Sequence, residues 1–309
     1  ICLNSTKAQI LKRSVQYDSC CKDGNPVVAA TGNKEYKESD FSWVGGDFVR
    51  GYNSVGDFQL RSGMGDNWAH SFSTRLMMYQ GLPQTWLRSD GYFESLNLVT
   101  AGNYRSYNRE GVILTRELDA AATELGYWRL STVGGELLWF NEAGRLVSFD
   151  RGGQIFKLEY CADADVQSGA CLAVGDLLRI VSPTGRYLTI LYSSVSPISN
   201  DDNGVRISAI TINGVVQVEY GYDALGRLVL ASKGGAVAGE GMEYLYAEPA
   251  HLCKNAAGST VAGCDVANFP RLLTGVIDEA GHRYATYEYD EVGRVVVSEH
   301  ADGVGKVAL

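Results

Sequence analysis

Two stretches of this chain nearly repeat one another. YGYDALGRLVLASKGG begins at Tyr220, and YEYDEVGRVVVSEHADG begins at Tyr287, 67 residues later (287−220). Tyr220 aligns with Tyr287, Tyr222 with Tyr289, Asp223 with Asp290, Gly226 with Gly293 and Arg227 with Arg294. Two weaker copies precede them: WFNEAGRLVSF, with Asn141, Gly144 and Arg145, and IVSPTGRYLTI, with Ser182, Gly185 and Arg186. Gly144, Gly185 and Gly226 stand 41 residues apart (185−144 and 226−185). Half-repeats, FDRGGQIFKLEY and VIDEAGHRYATYEY, lie between these copies. A fixed period means stacked supersecondary units.

The unit has a physical reading. Asp, Asn or Ser followed three residues later by Gly is the pattern of a type I turn with Gly in the left-handed position. Tyr287 and Tyr289 alternate with Glu288 and Asp290 before the turn, and the Val-rich run after it also has period two. Each unit is therefore predicted to be a β-hairpin, with turns at Asn141–Gly144, Ser182–Gly185, Asp223–Gly226 and Asp290–Gly293. The Arg after each Gly is expected to lie across a neighbouring ring or to pair with a carboxylate of the adjacent unit. The Tyr pairs 220/222 and 287/289 are predicted to stack in register on one face of a continuous sheet, in place of a deep core.

Composition agrees with many short strands. The 309 residues include 36 Gly and 18 Tyr but only 6 Pro. A net charge of −9 argues against a nucleic-acid partner, which calls for a basic stripe. No apolar run approaches the roughly 18–20 residues that span a bilayer. The chain begins ICLNSTKAQ, without Met or a signal-peptide core, and so reads as processed or as part of something longer. Two stretches have helical spacing. In STKAQILKRSVQYDSC, Ile10, Leu11, Ser14 and Val15 share a face behind Ser5; in LTRELDAAATEL, Leu114, Leu118, Ala121 and Leu125 do so.

Cys161 and Cys171 bracket ADADVQSGA, and Cys253 and Cys264 bracket KNAAGSTVAG. Both loops are polar and small-residue-rich, where a disulfide removes much chain entropy, so both pairs are predicted to be bridged in an oxidising compartment. Cys2, Cys20 and Cys21 leave an odd thiol. The competing reading is a set of unpaired thiols in a cytosolic protein. A zinc site fits less well, because neither pair has the two-to-four-residue ligand spacing.

The YDxxGRL pattern and its flanking strands resemble the YD repeat of the Rhs family, bacterial secreted proteins related to the teneurin shell and the Tc-toxin cocoon. The likeness extends upstream through GNPVVAATGNKEYKESDF, from Gly24, and GMGDNWAHSFSTRL, from Gly63. The latter carries two extra residues, Asp66 and Asn67, before Trp68. SDGYFESL and the repeats follow in the family's order, so the likeness covers residues 24–309 and omits 1–23.

That resemblance implies an all-β fold in which antiparallel hairpins form a spiralling ribbon, part of a hollow shell. It divides the chain into an N-terminal arm (1–23), the opening segment of the Rhs region (24–136) and YD-repeat hairpins (137–309). It implies a structural role in enclosing a C-terminal toxin or passenger, with the rest of a longer polypeptide and a secretion-system or surface component as partners. It places the protein outside the cell, secreted or on the surface. The Cys-bracketed loops depart from the family as insertions. The family's self-cleavage motif and a toxin domain have no counterpart in this sequence, and GVGKVAL falls where another strand would begin.

No catalytic, cofactor-binding or metal-ligating constellation emerges from the sequence. His70 reads as a hydrogen-bonded structural residue, and His282 stands at the turn-Arg position of a half-repeat. No Gly-x-Ser-x-Gly elbow and no HExxH occur, and SNDDNG at 199–204 reads as a polar turn, lacking the spacing of a calcium loop. The protein is expected not to be an enzyme. The alternative function is an extracellular adhesion or carbohydrate-binding module using Tyr104, Tyr107 and Trp128 as stacking platforms.

Overall fold

The computed structural model describes residues 22–23, 27–28, 31–55, 62–195, 204–237, 239–255 and 257–308. The expected N-terminal helix, Cys2, Cys20 and Cys21, and the first five residues of SNDDNG lie outside the described residues. Five β-strands come first among the described residues: β1 (Lys22–Asp23), β2 (Val27–Val28), β3 (Asn33–Trp43), β4 (Gly46–Asn53) and β5 (Trp68–His70), each antiparallel to the next. We call this the inner sheet. A long meander follows, with β6 (Arg75–Tyr79), β7 (Leu82–Leu87), β8 (Phe93–Thr100), β9 (Asn103–Ser106), β10 (Ile113–Arg116), β11 (Trp128–Ser131) and β12 (Leu137–Phe140). Next come β13 (Leu146–Arg151), β14 (Gln154–Tyr160), β15 (Leu177–Val181), β16 (Tyr187–Ser194), β17 (Val205–Ile212) and β18 (Val215–Tyr222). It ends with β19 (Leu228–Lys233), β20 (Met242–Tyr246), β21 (Leu273–Ile277), β22 (Arg283–Tyr289), β23 (Val295–His300) and β24 (Val307–Ala308).

Within each sheet every strand pairs antiparallel with its sequence neighbours, so the chain is nearly all antiparallel β, built of consecutive hairpins. Ladders run unbroken from β6 to β24, and no ladder joins β24 back to β6 among the described residues. The ribbon curves but stays open. Its first strand meets the first repeat turn edge-on: the Leu76 N–H donates to the Gly144 carbonyl at 2.7 Å, and Arg75 bridges to Arg145.

The turns have one construction. Gly144 N–H donates to the Asn141 carbonyl at 2.9 Å, and Gly185, Gly226 and Gly293 do the same to Ser182, Asp223 and Asp290 at 2.9–3.1 Å. All four glycines have positive φ, between +66° and +82°, where a side chain is strained. The first turn residue earns its Asp or Asn: Asp223 Oδ1 accepts from the N–H groups of Leu225 and Arg227, and Asp290 Oδ1 from those of Val292 and Arg294. The half-repeat at Asp278–Gly281 is built alike.

The inner sheet lies within the curve of the ribbon. A single cluster of buried apolar side chains runs from Val27, Tyr36, Phe48, Tyr52 and Trp68 of the inner region through Leu146, Ile180 and Ile207 to Tyr289 and Val295 of the ribbon. The expectation of a ribbon without a deep core is therefore corrected, because the ribbon curves around another sheet. The second helical stretch also differs from its spacing. Leu114 belongs to β10, and only Ala120–Thr123 forms a helical turn, capped by the Asp119 carboxylate. One further helical turn, Asp163–Gln167, sits between Cys161 and Cys171.

Glycine replacement distinguishes a free turn from one pressed against the ribbon edge. An added Cβ at Gly144 lies 2.2 Å from the Leu76 carbonyl oxygen, whereas at Gly185 nothing lies within 4 Å. Gly185→Ala is expected to cost about 1–2 kcal/mol, from the strain of the left-handed backbone alone, and Gly144→Ala clearly more. Urea-unfolding midpoints check this. Equal losses would mean that β6 does not abut the turn.

Candidate functional site

The feature that repeats most faithfully is a hydrogen bond on the inner face. Tyr160 donates its hydroxyl proton to the Leu146 carbonyl at 2.6 Å, and Tyr192 to that of Leu177 at 2.8 Å. Tyr222 donates to Ile207 at 2.8 Å, Tyr246 to Leu228 at 2.7 Å and Tyr289 to Leu273 at 2.7 Å. Every one of these tyrosines sits at a ladder irregularity, where the following strand carries an extra residue. Tyr160 faces Leu177, Tyr192 faces Ile207, Tyr222 faces Leu228, Tyr246 faces Leu273 and Tyr289 faces Val295. The last four hydroxyls thus close on the residue that faces the previous unit's tyrosine, and that of Tyr160 closes on Leu146, which faces Phe140. Bulges turn backbone groups out of the ladder, and the next tyrosine takes up the carbonyl.

The amides of three bulge residues are taken up by the inner region. Ile207 N–H donates to the Gly63 carbonyl (2.7 Å), Val295 N–H to that of Gly32 (2.8 Å) and Leu273 N–H to the Tyr52 hydroxyl (3.0 Å). Trp68 Nε1 donates to the Tyr246 hydroxyl at 2.7 Å. The Gly63–Trp68 motif therefore supplies backbone and side-chain partners to the ribbon, and Asp66 in it pairs with Arg271 at 2.5 Å.

A buried ionic cluster completes this contact. Arg50, 1% exposed, holds Asp40 through Nε at 2.8 Å and Glu38 through Nη2 at 3.1 Å. Its Nη1 donates to the Tyr244 hydroxyl at 2.6 Å. Tyr220 donates to Asp40 (2.5 Å), and Tyr36 and Tyr244 donate to Glu38 (2.9 and 2.7 Å). Burial works against the Arg50 charge, but the surrounding tyrosines and the two carboxylates outweigh it and hold the guanidinium protonated. Burial pushes the Asp40 carboxyl up while Arg50 pulls it back. A cavity of about 270 Å³ opens beside the cluster.

Several sequence expectations change here. Tyr220, Tyr222, Tyr287 and Tyr289 share the inner face, yet no ring pair links one unit's tyrosines to the next among the described residues. The strands bearing them alternate with tyrosine-free strands, so successive rings stand about 9.5 Å apart, two interstrand spacings. Ring contacts run to the inner sheet instead, Trp68–Tyr244 at 4.9 Å and Tyr36–Tyr244 at 6.1 Å. The turn arginines divide. Arg145 lies over Tyr160 (5.6 Å) and Arg227 over Tyr246 (5.0 Å). Arg227 and Arg294 pair with Asp223 and Asp290 of their own turns, not with a neighbouring unit, and Arg186 is exposed. Tyr104 and Trp128 are 3% and 2% exposed, so they form no platform; Tyr107 alone of the three is exposed.

His70 is enclosed. Its Nδ1 accepts from the Phe72 N–H (3.3 Å), so Nε2 carries the proton and donates to the Ser62 carbonyl (3.0 Å). The ring stacks on Phe48 at 5.3 Å, and burial pulls its pKa down to about 4. Burial likewise lowers Lys34 to about 7, its amine 4.2 Å from the centre of the Tyr287 ring. Neither group reaches the surface. Cys161–Cys171 and Cys253–Cys264 are disulfides, with Cα atoms 6.4 and 5.8 Å apart. No helix among the described residues is long and apolar enough to cross a membrane, and no group of three or more His, Cys, Asp and Glu among them could hold a metal ion.

Residues 24–96 match a domain of unknown function, DUF6531, a span that takes in β2 to β5 of the inner sheet and runs into β8. No curated protein matches the chain significantly. Solved structures similar to it include the crystal structures of TcdB2–TccC3–Cdc42 (15% identity, TM-score 0.25) and of TcdB2–TccC3 without its hypervariable C-terminal region (16%, 0.25). A third is TcdB2–TccC3 itself (13%, 0.27). They align with 73%, 71% and 83% of this chain, which spans only 11%, 12% and 13% of theirs. At such TM-scores the likeness is local.

Two substitutions probe the inner face. Tyr222→Phe leaves the Ile207 carbonyl without its donor in a dry setting, an expected loss of about 1–3 kcal/mol. Tyr284→Phe, on an exposed ring, is expected to change stability by less than about 0.5 kcal/mol. Equal urea midpoints for both variants would show that the hydroxyl bonds carry no stability. His70 predicts a pH dependence. Its folded pKa of about 4 lies below the ordinary 6.5, so the unfolded chain binds its proton first and stability falls as pH drops from 6.5 to 4. The full loss is about 3 kcal/mol, and His70→Gln is expected to flatten that part of the profile.

Proposed function

We propose that this chain is a structural shell segment of an Rhs-type secreted protein, whose ribbon continues as a wall around a C-terminal toxin or passenger. The observation that carries the reading is the repeated tyrosine-to-carbonyl bond. It joins each hairpin to the one before with the same donor, the same acceptor position and the same bulge, so the construction extends by addition of like units. Stability of such a wall grows unit by unit. The inner sheet, seated in the curve and matched in part by DUF6531, acts as a cap on this stretch of the wall. The two disulfides fit an oxidising, extracellular setting. The segment does no chemistry of its own: its one buried histidine and its buried lysine serve packing, and its carboxylate–arginine cluster is closed by its own tyrosines.

The adhesion reading draws no support from Tyr104 and Trp128, which are buried. Limited trypsin digestion of the longer polypeptide from the same reading frame tests the shell. The C-terminal passenger is expected to survive while the ribbon is intact and to be cut once the ribbon is unfolded by denaturant. A passenger digested at the same rate in both conditions would sink the proposal.

A further inference from the structure

The two disulfides stand at matching places in the ribbon. Each lies in a connection that follows a bulge tyrosine, Tyr160 of β14 or Tyr246 of β20. In both, the arginine of the preceding repeat turn lies over that tyrosine and donates to the connection. Arg145 reaches the Gly175 carbonyl at 3.0 Å, and Arg227 that of Pro270 at 2.5 Å. A hairpin needs only about 2–5 residues to turn, and the β20–β21 connection is far longer because its last part reaches the inner region.

That part runs from Cys264 to Leu272 and joins no ladder among the described residues. Val266–Asn268 forms a 3-10 turn capped by Asp265, and Val266 and Phe269 pack on the core from its rim. Arg271 meets the inner region twice. Its guanidinium pairs with Asp66 at 2.5 Å, and its carbonyl accepts from the Tyr52 hydroxyl at 3.1 Å. Past Leu272 the segment enters β21. At its other end the disulfide ties it to Cys253, a fully buried residue whose neighbour Lys254 donates its amide to the Tyr289 carbonyl at 2.8 Å. The anchor is in the core, the strap is at the rim, and a sulfur–sulfur bond joins them.

Exposure separates the two bonds. Cys161, Cys171 and Cys253 are buried, and Cys264 alone of the four is partly exposed. Thiol–disulfide exchange begins with a thiolate reaching one sulfur. A dithiol therefore enters at Cys264: its thiolate bonds to Cys264 Sγ, and Cys253 Sγ leaves as a thiolate that takes a proton. Its second thiol then displaces Cys264 as a thiol, and the reductant departs as its own disulfide.

We propose that Cys253–Cys264 is a redox-sensitive strap across the inner sheet, closed where disulfides persist and opened by a dithiol, which loosens Arg271 from Asp66 and Tyr52. The Arg50 cluster keeps its own contacts, so the opening is local to the edge formed by Tyr52 and Trp68. The inference does not rest on what the ribbon encloses.

Graded dithiothreitol, followed by alkylation and peptide mass spectrometry, reads which bond opens first, and amide exchange reads what it releases. Cys253–Cys264 is expected to open at a lower dose than Cys161–Cys171. With only that bond open, the amides of Trp68–His70, and that of Ile207, which donates to Gly63, are expected to exchange about tenfold faster or more, while those of β14 keep their rates. Asp66→Asn touches neither sulfur. In the oxidised chain it is expected to speed the same amides and to shrink the further effect of reduction. Opening of Cys161–Cys171 first or at the same dose, unchanged exchange at 68–70 after selective reduction, or an effect of reduction undiminished in Asp66→Asn would overturn the proposal.

Discussion

A bulge inside a dry core has two backbone groups to satisfy, and the architecture of this protein follows from how it does so. At each repeat the ladder breaks opposite an aromatic residue, Phe140 at the first and tyrosine at the others, and the residue across from it turns its carbonyl and amide inward. An unpartnered buried backbone group costs about as much as a lost hydrogen bond. The carbonyl goes to the next unit's tyrosine hydroxyl at all five positions from Leu146 to Leu273. Three amides, of Ile207, Leu273 and Val295, go to the inner region. The ribbon therefore depends on itself for one group and on the inner sheet for the other.

This division explains why the tyrosine is Tyr and not Phe. As rings alone, residues two strands apart cannot stack. As a hydroxyl on a rigid arm, each tyrosine reaches one strand back. The bond, worth about 1–3 kcal/mol when its loss strands a buried acceptor, outweighs the roughly 0.2–1 kcal/mol of a cross-strand side-chain pair. Burial raises the Tyr160 and Tyr222 hydroxyls well above their ordinary pKa, so each remains a donor through the neutral range.

The turns were readable from residues because their chemistry is local. Asp223, Gly226 and Arg227 sit within five positions, and Asp supplies acceptors to amides two and four residues on. The two disulfides span 10 and 11 residues and are nearly as local. The tyrosine bonds were not readable, because donor and acceptor lie 14 to 18 residues apart with a different loop between them each time. Spacing finds the 41-residue period and misses the bond that repeats with it. The inner sheet was harder still. KEYKESDF interleaves charge with aromatics, a pattern that suits an exposed strand, yet Lys34 and Tyr36 are buried against Tyr287 and Tyr244, more than 200 positions away, and Glu35 is buried against Tyr92. A concave wall of tyrosines takes up charge that a convex surface would leave in solvent.

Those buried charges answer a problem that repetition creates. A ribbon of like hairpins offers the inner sheet much the same groove of leucine and tyrosine at every unit, and apolar burial is non-directional. Hydrophobic contact alone would let β3 and β4 seat one unit up or down at small cost. The Arg50 cluster removes that freedom. Asp40 requires the Tyr220 hydroxyl, and Glu38 that of Tyr244, residues two strands apart on β18 and β20. Displaced by one unit toward β16, Asp40 would face Ile190, which offers no hydroxyl, and Arg50 would carry a desolvated anion without its other donor. Replacing a buried ion pair by apolar groups is often neutral for stability, so strength is a poor reason to keep one here. Registry is a better one: the charges mark which of several similar seats is correct.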